Sequence, residues 1–336
     1  MRNWIARAMA GLVCAAGSSA ALAQVEEYTL EDEGWVESEG LEVDPALAEA
    51  RQALASDQPG RALSILNAWI REHKFTNHPS LPEAYLLRGD AKLANNDEYE
   101  ALYDYEAIIK QFYGSPEFPK AVEREYEIAK RYVNGLKRKW FGLFRIEGAT
   151  SLGEELLIRV QERMPGSQLA EMAALELGDY YYRTRDVRMA ADMYGIFVVN
   201  FPESEHRKYA ALRQIFANIA SYKGPRYDQS GLTEASVLIE DFQARYPAEA
   251  EQAGVTVQLA NWVDESAAEH LLDTARWYLR RQDEESARYT LVRLIRAHPH
   301  SAAAEEAVSI LQARGLLDEP TRPIQTQTDT SDEDSR

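Results

Sequence analysis

Between about residues 45 and 315, apolar positions recur at the three- and four-residue spacing of amphipathic helices. No stretch alternates convincingly with the two-residue period of a half-buried strand, and no Asn-Gly pair marks a hairpin. One phrase keeps interrupting the helical pattern. Pro165-Gly166-Ser167 follows Met164, Pro202-Glu203-Ser204 follows Phe201, and Pro299-His300-Ser301 follows His298. Proline stops a helix because it has no N–H to donate and its ring clashes with the preceding turn. Serine two residues later can cap the next helix by accepting from a free backbone N–H. A stop followed by a start, repeated along a chain, predicts a stack of helical hairpins.

The clearest unit is residues 171–202. Leu177, Gly178 and Tyr181 fall on its first helix, Ala190 and Tyr194 on its second, Thr184-Arg185-Asp186 supplies the turn, and Pro202 closes it. The pattern resembles the tetratricopeptide repeat, in which a small residue lets two helices approach and aromatic rings fill the space between hairpins. Ala275, Tyr278, Ala287 and Pro299 repeat it. Earlier units are fainter: Ala62, Leu66 and Trp69; Gly89, Ala101 and Tyr105; Ala129 and Tyr132. A later one is marked by Ala235, Ile239 and Phe242 before Pro247. The expectation is an all-α, tetratricopeptide-type solenoid of about six repeats with a capping helix near 301–314. Spacing between closing prolines is too long at 136–150, 223–231 and 248–264, which predicts insertions there.

Composition adds the ends and the charge. Arg2 and Arg7 precede the short apolar run 8–16, and Ala21-Leu22-Ala23 follows, which predicts a signal peptide over 1–23 cut ahead of Gln24. Cys14, the single cysteine, reads either as a lipid acceptor or as a plain hydrophobe within that segment; Val13 in front of it suits the second. Residues 24–44 hold nine acidic and no basic side chains and predict a flexible arm. Residues 45–135 read as N-terminal repeats, 136–150 as an insertion, 151–315 as C-terminal repeats and 316–336 as a solvated acidic tail. A formal net charge of -18 argues against sequence-independent nucleic-acid binding, which needs a basic surface to displace counterions.

No catalytic or cofactor pattern stands out. The six histidines are scattered and form no H-E-x-x-H, and there is no Gly-rich phosphate loop and no nucleophile elbow. The expectation is a non-enzyme with no cofactor and no metal. One island is unusual: Lys137, Arg138, Lys139 and Arg145 surround Trp140, Phe141, Leu143 and Phe144 in an otherwise acidic chain. It reads as a clasp for an acidic or aromatic partner segment, as a contact with a membrane interface, or as rings folded back over a neighbouring hairpin with wet cations.

Residues 165–314 resemble the BamD (YfiO-like) family of outer-membrane assembly proteins. The resemblance is carried by FPESEHRKYAALRQIFANIASY at 201–222, KGPRYDQSGLTEA at 223–235, FQARYP at 242–247 and ARWYLRRQDEESARYTLVRLIRAHPHS at 275–301. It implies a periplasmic scaffold whose N-terminal repeats take a signal in unfolded β-barrel clients and whose C-terminal repeats hold a barrel-assembly component. The sequence departs from the family in its poor lipid-acceptor context around Cys14, which predicts indirect membrane association through a protein partner. Exported tetratricopeptide adaptors for cell-wall or cell-division factors are the alternative.

Overall fold

The computed structural model describes residues 28–31, 34–37, 44–140 and 144–316. The signal peptide with Cys14, most of the acidic arm, Phe141 and the tail from 317 lie outside them. Among the described residues, helices dominate and pair in chain order. The hairpins are α1 (Pro45–Ala55) with α2 (Pro59–His73), α3 (Leu81–Ala94) with α4 (Glu98–Gln111), and α5 (Glu117–Val133) with α6 (Thr150–Arg163). They continue with α7 (Gln168–Arg183) and α8 (Val187–Asn200), then α9 (Arg207–Ser221) and α10 (Ser230–Arg245). After the short α11 (Pro247–Gln252), α12 (Val257–Arg280) pairs with α13 (Glu284–Ala297), and α14 (Ala302–Ala313) packs on both. The described residues form an all-α solenoid of six hairpins and a cap.

Two kinds of turn build this order. Within four hairpins the chain reverses through one left-handed residue: Asp57, Asn96, Arg185 or Gln282, with φ of 54° to 65°. Between hairpins, the residue before proline leaves the helix with nearly one geometry. Met164, Phe201, Tyr246 and His298 have φ of −125° to −134° and ψ of 59° to 65°. The clash of a proline ring with the preceding residue disfavours helical backbone there, so the returning proline is a repeated corner. Ser167 and Ser301 cap the following helices, accepting from the N–H of Ala170 and Ala304 at 3.1 and 3.0 Å. Ser204 does not. Helix α9 starts later, at Arg207, and the Ser204 hydroxyl instead donates to Glu171 on α7 at 2.6 Å.

Burial runs from hairpin to hairpin in linked clusters, as expected when each hairpin hides its apolar face only against its neighbours. Leu177, Gly178, Tyr181, Ala190, Tyr194, Ala275 and Ala287 are buried and Tyr278 is half-buried, while the corner residues Pro202 and Pro299 are exposed. Gly178 and Gly89 each face a tyrosine ring of the partner helix, Tyr194 and Tyr105. In the α5–α6 hairpin the required small residue lies on the second helix: a Cβ on Gly153 would stand 2.9 Å from the Ala129 carbonyl.

The three long spacings have three structures. Residues 222–229 form a loop, α11 and a left-handed Gly254 fill the third, and the first holds a β-hairpin that the helical reading did not foresee. Here β3 (Arg138–Trp140) pairs antiparallel with β4 (Phe144–Glu147), between the two helices of one repeat. A second small ladder stands within the acidic arm, where β1 (Tyr28–Glu31) pairs with β2 (Gly34–Glu37).

Buried charge links α4, α5 and α6. Glu125 is fully buried and bonds to Arg163, which also donates to Glu106 at 2.6 Å. Burial pushes the Glu125 carboxyl up to about 7 despite that arginine. Burial also opposes ionisation of Glu106, but hydrogen bonds from Lys110 and Arg163 outweigh it and hold its carboxyl down at about 2.

Candidate protein-docking site

The basic-aromatic island is the β3–β4 ladder and its entry. Its register sets Trp140 opposite Phe144 and Lys139 opposite Arg145, with an irregularity between Arg138 and Lys139. Two of its cations are engaged by the neighbouring repeat. The Lys139 ammonium donates to Asp97 at 2.7 Å and to the Asn95 carbonyl at 3.2 Å, both in the α3–α4 turn. The Arg138 guanidinium lies 4.1 Å above the ring of Tyr99 on α4. The ladder is therefore latched to the second hairpin on its β3 side. Lys137 is exposed at its entry; the side chains of Trp140, Phe144 and Arg145 lie outside the described residues, as does Phe141. The latch needs Asp97 and Tyr99, about forty residues upstream in sequence.

A second surface is built where the resemblance is most specific. The α12 stretch around His270 and Asp273, just ahead of the sequence RWYLRR at 276–281, faces the 222–229 loop. His270 Nδ1 donates to the Pro225 carbonyl at 2.7 Å, and Arg226 approaches Asp273 at 3.7 Å. These contacts hold the loop against α12. Two adjoining cavities of about 600 and 470 Å³ share His270, Thr274 and Tyr278 as a common wall. Exposed rings rim them: Trp277, with the Arg281 guanidinium 4.3 Å over its face, and Tyr289 on α13. Aromatic and arginine side chains in such a rim are the residue types that carry binding energy in protein interfaces. Sequence spacing showed the loop and the Arg-rich helix separately; only the fold brings Pro225 to His270.

These features define a class: a helical-repeat scaffold offering side-chain surfaces and grooves to other macromolecules. The family model described as YfiO, outer membrane lipoprotein, matches residues 147–324, more than half of the chain, and the chain belongs to that family. It is 24% identical over 176 residues to the outer membrane protein assembly factor BamD of Haemophilus influenzae, covering 49% of this chain and 67% of the relative. Among solved structures, the C-terminal part of a TPR repeat-containing protein from Cytophaga hutchinsonii overlays with a TM-score of 0.36 at 13% identity. That overlay covers 78% of this chain and 86% of the other. The human IFIT1 dimer with m7Gppp-AAAA overlays with a TM-score of 0.24 at 15% identity, covering 80% and 72%. Both overlays are loose, and the fold rests on the helix order itself.

Proposed function

We propose that this chain is a scaffold for outer-membrane protein assembly, acting by binding proteins and not by catalysis. The carrying observation is the YfiO family match, which runs from the end of β4 onward over α6, the last three hairpins and the α14 cap. The named relative is itself an outer membrane protein assembly factor and aligns over about the same length. In this reading the scaffold works in the periplasm at the inner face of the outer membrane. The α12–α13 groove with its loop holds a component of the assembly machinery. The N-terminal hairpins and the ladder around Trp140, Phe144 and Arg145 receive unfolded barrel clients. A solenoid suits this task because its exposed surface grows with each repeat while every hairpin stays packed on its neighbours.

The test is recovery of partners from intact envelopes by crosslinking, followed by detergent extraction. The reading expects a β-barrel protein carrying periplasmic assembly domains to co-purify, and expects Trp140→Ala with Phe144→Ala to reduce client recovery while the helical content stays unchanged. Recovery of peptidoglycan synthases in place of a barrel component would assign the chain to cell-wall coordination.

A further inference from the structure

We infer that the groove between α8 and the α9–α10 hairpin is a docking site for a basic amphipathic helix of a partner protein. Helix α8 is apolar on two faces. Ala190, Tyr194 and Phe197 enter the core as the repeat requires. Met189, Ile196 and Val199 do not; they are 38%, 44% and 76% exposed and line one side of a cavity of about 870 Å³, except that its far walls come from the next hairpin. An apolar stripe on a helix is normally turned toward a partner surface, so this second apolar row lacks the cover its composition calls for.

The opposite wall is polar. Gln214 and Asn218 of α9 and Ser230 and Glu234 of α10 face the apolar row. Two glycines keep the walls close at the base. A Cβ on Gly195 would stand 2.7 Å from Gln214 Nε2, and one on Gly231 would stand 2.6 Å from the Asn218 carbonyl oxygen. The rim charge is one-sided. Arg188, the cation lining the groove, is bonded to Asp228 of the 222–229 loop at 3.0 Å. Asp192 and Glu234 have no cationic partner among the described residues.

These walls select the occupant. All three lining elements are helices whose backbone groups are internally paired, so strand addition has no open ladder edge to use. An apolar row beside acidic rim groups fits a helix with Leu-like residues on one face and Lys or Arg flanking them. From Arg188 to Asn200 the row runs roughly 18 Å at 1.5 Å per residue, about three turns of a docked helix. The inference stands independently of the assembly reading, since any partner with such a helix satisfies it.

The full chain is titrated against two fluorescein-labelled helical peptides of about 18 residues, one with leucine and lysine faces and one with glutamate in place of lysine, read by fluorescence anisotropy. The lysine peptide is expected to bind at least tenfold more tightly. Asp192→Lys with Glu234→Lys should abolish or reverse that preference, and Ile196→Ser with Val199→Ser should weaken the lysine peptide about tenfold with an unchanged thermal melt. Glu240→Lys with Glu251→Lys, the same charge change outside the groove, should leave at least half of the preference. Equal binding of both peptides, no binding of either, or a preference lost equally in the control variant overturns the proposal. So does a dimer in sedimentation equilibrium that Ile196→Ser with Val199→Ser dissociates, which assigns the row to a second copy.

Discussion

The hydroxyl of Tyr194 on α8 donates to Asp179 on α7 at 2.6 Å, and its ring fills the space a side chain on Gly178 would need, 2.9 Å from where a Cβ would stand. Tyr105 stands in the same relation to Asp90 and Gly89. In both places the aspartate also takes a donor from the first helix of the next hairpin, Tyr209 to Asp179 and Arg124 to Asp90, each at 2.9 Å. Gly-Asp followed by a tyrosine one hairpin arm later is thus a stitch: the glycine seats the ring, and the aspartate ties its hairpin to the following one. Burial first, and then the adjacent carboxylate through its charge and its hydrogen bond, raises the phenol pKa at both tyrosines.

Gly178→Leu should cost about 1–3 kcal/mol by overpacking a filled site. Gly60→Leu, where a Cβ meets nothing within 4 Å, is the control and should be neutral or slightly stabilising, since leucine favours a helix more than glycine does. Chemical denaturation of the two variants checks this; equal losses would remove the ring-seating account.

Tyr194→Phe keeps the ring and deletes the donor. Asp179 retains Tyr209, so the loss should be about 1.5–3 kcal/mol at most, the range for a hydrogen bond to a charged group. Tyr209→Phe should cost less, because Tyr209 is more exposed. A double-mutant cycle with Asp179→Asn measures the coupling in each case.

Arg185 reverses the α7–α8 turn with φ of 65°, a conformation that a residue with a Cβ adopts at a cost of about 1 kcal/mol. Arg185→Gly should therefore raise the midpoint of thermal unfolding slightly. Asn96→Gly should do less, because asparagine tolerates the left-handed region.

Glu125 predicts an unusual pH dependence. Its folded pKa lies above the ordinary glutamate value, so between roughly pH 4.5 and 7 the folded state holds the proton more tightly than the unfolded state. Stability from this group is full below that window and is lost as pH rises through it, by about 3 kcal/mol on the scale of 1.36 kcal/mol per unit. The charged groups acting on it are Arg163 and Arg159 from α6 and Glu106 from α4. Glu125→Gln removes the titration, so the variant should gain on the parent chain as the buffer moves from pH 5 to pH 8. Parallel stability curves for the two proteins would contradict the assignment.

Lys139→Ala opens the latch between β3 and the α3–α4 turn. The ion pair with Asp97 is partly exposed, so global stability should change by less than about 1 kcal/mol. Hydrogen exchange should rise locally over the β3–β4 ladder and stay unchanged in α5 and α6. Exchange that rises throughout the hairpin would mean the ladder is integral to that repeat's packing.

The repeat architecture was legible because its signals are local. A proline corner fixes the residue before it, a helical period fixes which face is apolar, and the small-aromatic pairs of 178 with 194 and 89 with 105 sit at a fixed separation in the chain. Where the rule was only statistical it slipped: Ser204 has the spacing of a cap but hydrogen-bonds Glu171, because α9 begins at Arg207. The ladder at 138–147 escaped the reading since its strands are too short for a period of two to declare itself against flanking helices.

The sequence by itself determined the hairpin order, the corners and the residues that enter the core, because each hairpin's packing depends on neighbours close in the chain. The tertiary structure alone decided which surfaces lie open: that Lys139 reaches Asp97, that Pro225 meets His270, and that the second apolar face of α8 stays uncovered between hairpins. Those facts depend on how one hairpin is set against the next, and the period of a helix carries no record of that angle.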